Sequence, residues 1–209
     1  MNDQQLKAKI LEWGRVKSVL TLSEILEAGA NLEQIAEFVN LGVLYPSAQG
    51  IYMPENADFT EQHTRVEVAA RFPETVICLD SALNFNHITT QIPHQVWIAY
   101  EEGLIMPIEP LLPIKAIHMP QPAFSQGIEV HILEGIPVKI YNIAKTVADC
   151  FIYEHEVGID VAVEAFEQSI LQKRCTIPEI LKYTQGRHMR DYVVPYFEEC
   201  VAKASKVLA

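Results

Sequence analysis

Apolar and polar positions alternate at helical spacing over the first forty residues. Leu6, Ile10, Leu11 and Trp13 form the stripe of a first helix that Gly14 ends. Thr21, three residues before Glu24, has capping-box spacing for a short second helix carrying Leu22, Ile25 and Leu26 and stopped by Gly29. Asn31 caps a third helix with Leu32, Ile35, Ala36, Val39 and Leu41 near helical period, and Gly42 closes it. Two short β-prone runs follow, 43–45 and 50–52, joined by Pro46-Ser47-Ala48-Gln49. Helix, short helix, glycine turn, helix and hairpin are the parts of a winged helix-turn-helix, expected over residues 1–56.

The polar stretch Pro54–Thr60 carries no apolar repeat and predicts a domain boundary. Beyond it, residues 61–209 predict a mixed sheet with a helical C-terminal end, so the fold class is α+β or α/β. A helix over about 61–72 precedes a buried strand at 76–79, and Asp80 or Ser81 caps the next helix. Strands are expected at 96–100, 114–117, 128–132 and 138–140. Seven prolines between Pro93 and Pro137 favour short strands and rigid loops there. After Asn142 the period turns helical, with helices through Ile143–Phe151, Val161–Leu171, past Pro178, and over Tyr192–Leu208.

Composition narrows the class. The chain of 209 residues is 49% hydrophobic and 21% charged, and no apolar run approaches the roughly 20 residues that span a bilayer. The first residues lack the basic-then-apolar layout of a signal peptide, so a cytoplasmic protein without membrane attachment is expected. Cys78, Cys150, Cys175 and Cys200 form no CxxC pair and read as reduced thiols. No HExxH, Walker loop, GxGxxG or GxSxG is present, so neither cofactor, metal nor catalysis is expected. Glu129 and Lys139 read as a cross-strand ion pair rather than a nuclease pairing, since no second carboxylate motif accompanies them.

Several stretches resemble the AbiEi antitoxins. Thr21 to Gly29, with Leu44-Tyr45 and Gly50-Ile51-Tyr52, looks like that family's N-terminal winged helix. Leu79-Asp80-Ser81-Ala82-Leu83 with His87, then Pro93 to Ala99, resembles its central segment. Residues 140–167, with Lys145-Thr146 and Asp149 followed by Val157-Gly158-Ile159-Asp160, give the most specific match. The resemblance implies an antitoxin and autoregulatory repressor of a type IV, AbiE-like abortive-infection operon active in phage defence. Its partners would be operator DNA and a nucleotidyltransferase-like toxin, opposed with or without direct contact. The alternative is a protein-interaction module whose winged helix no longer binds DNA.

On this reading Lys7, Lys9, Arg15 and Lys17 meet phosphates, while Asn31, Gln34, Asn40 and Gln49 reach base edges. Antitoxin function falls to Asp80, Ser81, Lys145, Thr146 and Asp149. The plainer roles of these residues are a helix cap at Asp80-Ser81 and an i,i+4 ion pair between Lys145 and Asp149. Charge cuts against the repressor half. The chain carries a net charge of −11, and the presumed recognition helix contains two glutamates and no Lys or Arg. The wing has Ser47-Ala48-Gln49 where the family usually places an arginine.

Overall fold

The computed structural model describes residues 2–103, 110–184, 194–195 and 198–199. The fold is α+β. The chain divides into two compact units: residues 1–75 with 105–114 and 130–139, and residues 76–104 with 115–129 and 140–209.

The first unit opens with α1 (Asp3–Gly14), β1 (Leu20–Thr21), α2 (Leu22–Glu27), α3 (Leu32–Asn40), β2 (Leu44–Ala48) and β3 (Ile51–Pro54). Asn2, Thr21 and Asn31 each close a capping box with the residue three positions on, so all three helices begin at locally encoded stops. β3 lies between β1 and β2, antiparallel to both, with Leu20 opposite Tyr52 and Leu44 opposite Pro54. Leu6, Ile10, Leu20, Ile25, Ile35, Phe38, Val43 and Leu44 are buried together beneath this sheet. This is the winged-helix order, with the two-residue β1 as an element that the sequence pattern did not mark.

The polar stretch 54–60 lies inside this unit rather than at its edge. α4 (His63–Arg71) follows it and packs on all three strands. The turn 134–135, between β7 (Ile128–Leu133) and β8 (Ile136–Tyr141), belongs to the same unit. There the backbone N–H of Ser18 donates to the Glu134 carbonyl at 3.1 Å. Gly135 sits at φ +77°, and a Cβ there would fall 1.8 Å from the Val16 carbonyl oxygen, so only glycine fits.

The second unit is built on α5 (Leu79–Phe85), α6 (Ile143–Ile152), α7 (Glu154–Val157), α8 (Ile159–Leu171) and α9 (Ile177–Tyr183). Its strands β4 (Val76–Ile77), β5 (Val96–Glu101) and β6 (Ile114–Met119) join β8 and β7 in a sheet ordered β6-β5-β4-β8-β7. β4 runs antiparallel to β5 and parallel to β8, with Ile77 opposite Ile140. α6 lies at the centre, packed by α5, α8 and α9, and every residue from Ala144 to Phe151 is buried. Most of the expected last helix, 192–208, lies outside the described residues.

Candidate functional site

Helix α6 starts where the Asn142 side chain accepts the Lys145 backbone N–H at 2.9 Å. Lys145 and Asp149 then project from the same side, one turn apart. Their side chains are each 1% exposed, and Lys145 Nζ lies 2.6 Å from Asp149 Oδ1. The expected i,i+4 ion pair is present, and it is interior, because α5, α8 and α9 pack over α6. The Lys145 ammonium also sits 5.1 Å from the centre of the Tyr141 ring. Its stem rests against Gly127, where a Cβ would come within 2.7 Å of the Lys145 Cβ.

Thr146 is equally internal. Its hydroxyl donates to the Tyr141 and Asn142 carbonyls at 3.2 and 2.9 Å. Tyr141 in turn donates its hydroxyl to the Phe124 carbonyl at 2.6 Å. Burial first, and then the Asp149 carboxylate, pushes the Cys78 thiol and the Tyr141 phenol well above their ordinary ranges. Lys145, Thr146 and Asp149 are thus interior residues of the second unit.

Asp80 and Ser81 are placed differently from the expected cap. The N-cap of α5 is Cys78, and Leu79 takes φ +44° at the first helical position, which starts the helix earlier than the sequence suggests. Ser81 is buried and faces the segment entering β5. Its hydroxyl accepts the Trp97 backbone N–H at 2.9 Å and donates to the Gln95 carbonyl at 3.4 Å. Asn84 adds a bond from Nδ2 to the Gln91 carbonyl at 2.9 Å. Together they fix residues 91–97 beside α5.

A cleft of about 330 Å³ opens between that segment and α5, lined by Asp80, Gln91, His94, Gln95, Trp97 and Lys115 among others. The Lys115 ammonium stands 3.9 Å from the centre of the Trp97 ring and 2.9 Å from Glu156 Oε2. Its hydrogen bond holds the Glu156 carboxyl below the usual range. Burial pushes the Asp80 carboxyl up, with Lys115 countering only in part. The Asp80 Oδ1 atom is buried and has no hydrogen-bond partner among the described residues. Neither Lys115 nor Trp97 belongs to a site motif in the sequence. The available signal was a lysine set within the otherwise apolar run 114–117.

Several residues of the expected DNA face make contacts within the first unit. Lys17 lies 2.5 Å from Glu24, which also accepts the Thr21 backbone N–H at 2.8 Å. Lys7 approaches Glu55 at 3.9 Å, and Lys9 covers the Trp13 ring at 5.1 Å. Asn31 and Gln34 cap each other, and Gln34 Nε2 donates to Asp3 at 2.6 Å. Gln49 accepts from Arg71 at 3.1 Å. Arg15 and Asn40 are exposed. The outward face of α3 shows Leu32, Glu33, Ala36, Glu37, Asn40 and, just beyond it, Leu41. The first unit as a whole has seven basic against thirteen acidic side chains.

Lys139 pairs with Glu74 at 3.7 Å and donates to the Pro73 carbonyl at 2.8 Å. A further polar cluster of the first unit escaped the sequence reading. Glu134 accepts the Thr60 backbone N–H and hydroxyl at 2.7 Å each and lies 2.7 Å from His63 Nδ1. Glu67 stands 3.6 Å from the other ring nitrogen. Burial alone would push the Glu134 carboxyl up, but hydrogen bonds from its neighbours, His63 and Thr60 among them, hold it below its ordinary value. Among the described residues no group of three or more His, Cys, Asp or Glu side chains has metal-binding geometry. No helix among them is long and apolar enough to cross a membrane.

The architecture is that of an α+β protein beginning with a winged helix. No family model matches the chain, and no curated protein does. Among solved structures it is similar to the crystal structure of the RV2827C protein from Mycobacterium tuberculosis, with a TM-score of 0.62. That likeness covers 88% of this chain and 71% of the other at 14% sequence identity, and it is a likeness of fold.

Proposed function

We propose that this chain is the antitoxin of a type IV, AbiE-like toxin–antitoxin pair, opposing a nucleotidyltransferase-like toxin through its second unit. The observation that carries the reading is the fate of the family-like block 140–167. It forms β8, α6 and α8, the elements around which the second unit is packed. A regulator of this kind places its winged helix ahead of such a unit, and the element order here matches that plan. Lys145, Thr146 and Asp149 support antitoxicity by holding the fold, while Asp80 stands at a surface cleft where a partner can reach it. The test is co-expression with the adjacent toxin-like reading frame. Growth is rescued by the full chain; absence of rescue, or absence of any such reading frame, overturns the proposal.

A second reading, a winged helix that meets protein rather than operator DNA, is favoured by one specific observation. The α3 face that would enter a major groove displays Glu33 and Glu37 and no cation. Binding to the chain's own upstream region, followed through a salt titration, separates the two. Lys9 and Arg15 as the working cations give a log–log slope of about −1.8, and all four N-terminal cations give about −3.6, at about 0.9 per neutralised phosphate. A slope in that interval keeps operator binding in the function. No binding at low salt leaves the interaction module, and a slope near about −8 refutes the charge argument itself.

A further inference from the structure

We propose that the cleft beside α5 is a receptor for a guanidinium group, the side chain of an arginine presented by a partner protein. The charges of the cleft decide the sign of the ligand. Lys115 is already answered, with Glu156 at 2.9 Å and the Trp97 ring beneath it. Asp80 is not: it lines the cleft, is only partly buried, and its carboxylate has no hydrogen-bond or ion-pair partner among the described residues. A carboxylate in that condition is best satisfied by a charged donor that meets its exposed side from the cleft.

An incoming anion would face Asp80 and have to displace Glu156 from Lys115. A cation meets the unsatisfied carboxylate and leaves the Lys115–Glu156 pair in place. Gln91 and Thr89 supply an amide and a hydroxyl along the wall, able to accept further N–H groups of a planar, five-donor guanidinium. About 330 Å³ holds one long side chain and its stem, not a folded peptide.

The occupant is a protein side chain because an exposed apolar residue stands at the border of the cleft. Ile92 borders the cleft and is 81% exposed, which suits the surface around an anchoring arginine. Leu79 at φ +44° introduces Asp80, a strained backbone of the kind that persists where a side chain must be aimed. The inference stands on the second unit alone and does not depend on the antitoxin reading, since it defines the partner only by its arginine.

The experiment titrates the full chain with N-acetyl-arginine amide, using N-acetyl-citrulline amide as the neutral isostere. The readout is the indole N–H signal of Trp97 in a nitrogen–proton correlation spectrum, with Trp13 in the first unit as internal reference. The arginine probe is expected to shift Trp97 saturably with a dissociation constant of about 1–10 mM, leaving Trp13 in place. Citrulline and the D80N variant should each weaken binding by about ten-fold or more. K115M should tighten it several-fold, because the remaining like charge is gone. An anion site would show the reverse pattern, losing its ligand with K115M and gaining with D80N. Equal binding of citrulline, binding retained by D80N, weaker binding by K115M, or no Trp97 shift at about 50 mM probe each overturn the proposal. The same spectra report whether either variant remains folded.

Discussion

Replacing Lys145 with methionine isolates the interior ion pair. The substitution keeps most of the stem that packs on Gly127 and Tyr141 and removes only the charge. Asp149 is then left at 1% exposure without the ammonium 2.6 Å away. Breaking a buried pair in this way costs about 3–5 kcal/mol, against about 0.3–0.5 kcal/mol for an exposed i,i+4 pair. In a chain of this size the two cases correspond to Tm changes of about 6–20 °C and under about 2 °C. Urea unfolding read from Trp97 in a W13F background follows the second unit alone. D149L should be similarly destabilising, whereas K145M/D149L should recover most of the loss, since an apolar pair of similar volume replaces a charged one. The coupling term of that cycle is expected to exceed about 2 kcal/mol. A K145M loss below about 1 kcal/mol, or strictly additive single substitutions, would refute the keystone role of the pair.

Two other consequences concern titration. Glu134 has its carboxyl held below the ordinary value of 4.5, so its contribution is complete above that pH and is lost as pH falls through the lower folded value. E134Q should therefore destabilise at pH 7, and its difference from the parent chain should shrink on acidification below about pH 4.5; urea midpoints that stay equally separated from pH 7 to pH 3 would contradict this. Cys78 and Cys150 are fully buried with thiols pushed up, so iodoacetamide at pH 8 should modify neither until the chain unfolds, while the partly exposed Cys175 reacts slowly. Native, stoichiometric labelling of Cys78 in a peptide map would show that the second unit opens readily.

Local signals carried the winged helix. Thr21 with Glu24 and Asn31 with Gln34 fix helix starts within four residues, and Gly29 and Gly42 fix the stops; both glycines have positive φ. What failed was depth. The spacing of Lys145 and Asp149 gives their mutual geometry correctly, but only the covering by α5, α8 and α9 makes the pair interior, and no local pattern encodes that. Asp and Ser favour the cap position, yet the turn at Leu79 starts the helix before Asp80 and Ser81. Glu134 and His63 are 71 positions apart, so their meeting depends on where the β7–β8 turn lies within the first unit.

Element order and function part company at the N-terminal cations. A winged helix that binds DNA keeps its lysines free to exchange counterions for phosphates. Glu24 works against that freedom, because one carboxylate accepts from Thr21 and pairs with Lys17 at once. Those hydrogen bonds, with Lys17 first among them, overcome the opposing effect of burial and hold the Glu24 carboxyl below its ordinary value. Drawing Lys17 onto a phosphate would therefore loosen the start of α2, the helix that precedes the presumed recognition helix. Lys7 can exchange Glu55 more freely at 3.9 Å, Lys9 lies in the middle of α1, and Arg15 caps its C-terminal end. Phosphate contacts from this unit would therefore be expected from α1 and the turn after it, since α3 carries no Lys or Arg. Changing Glu33 and Glu37 to glutamine should strengthen such binding without altering its sequence preference, because it removes repulsion and adds no phosphate contact.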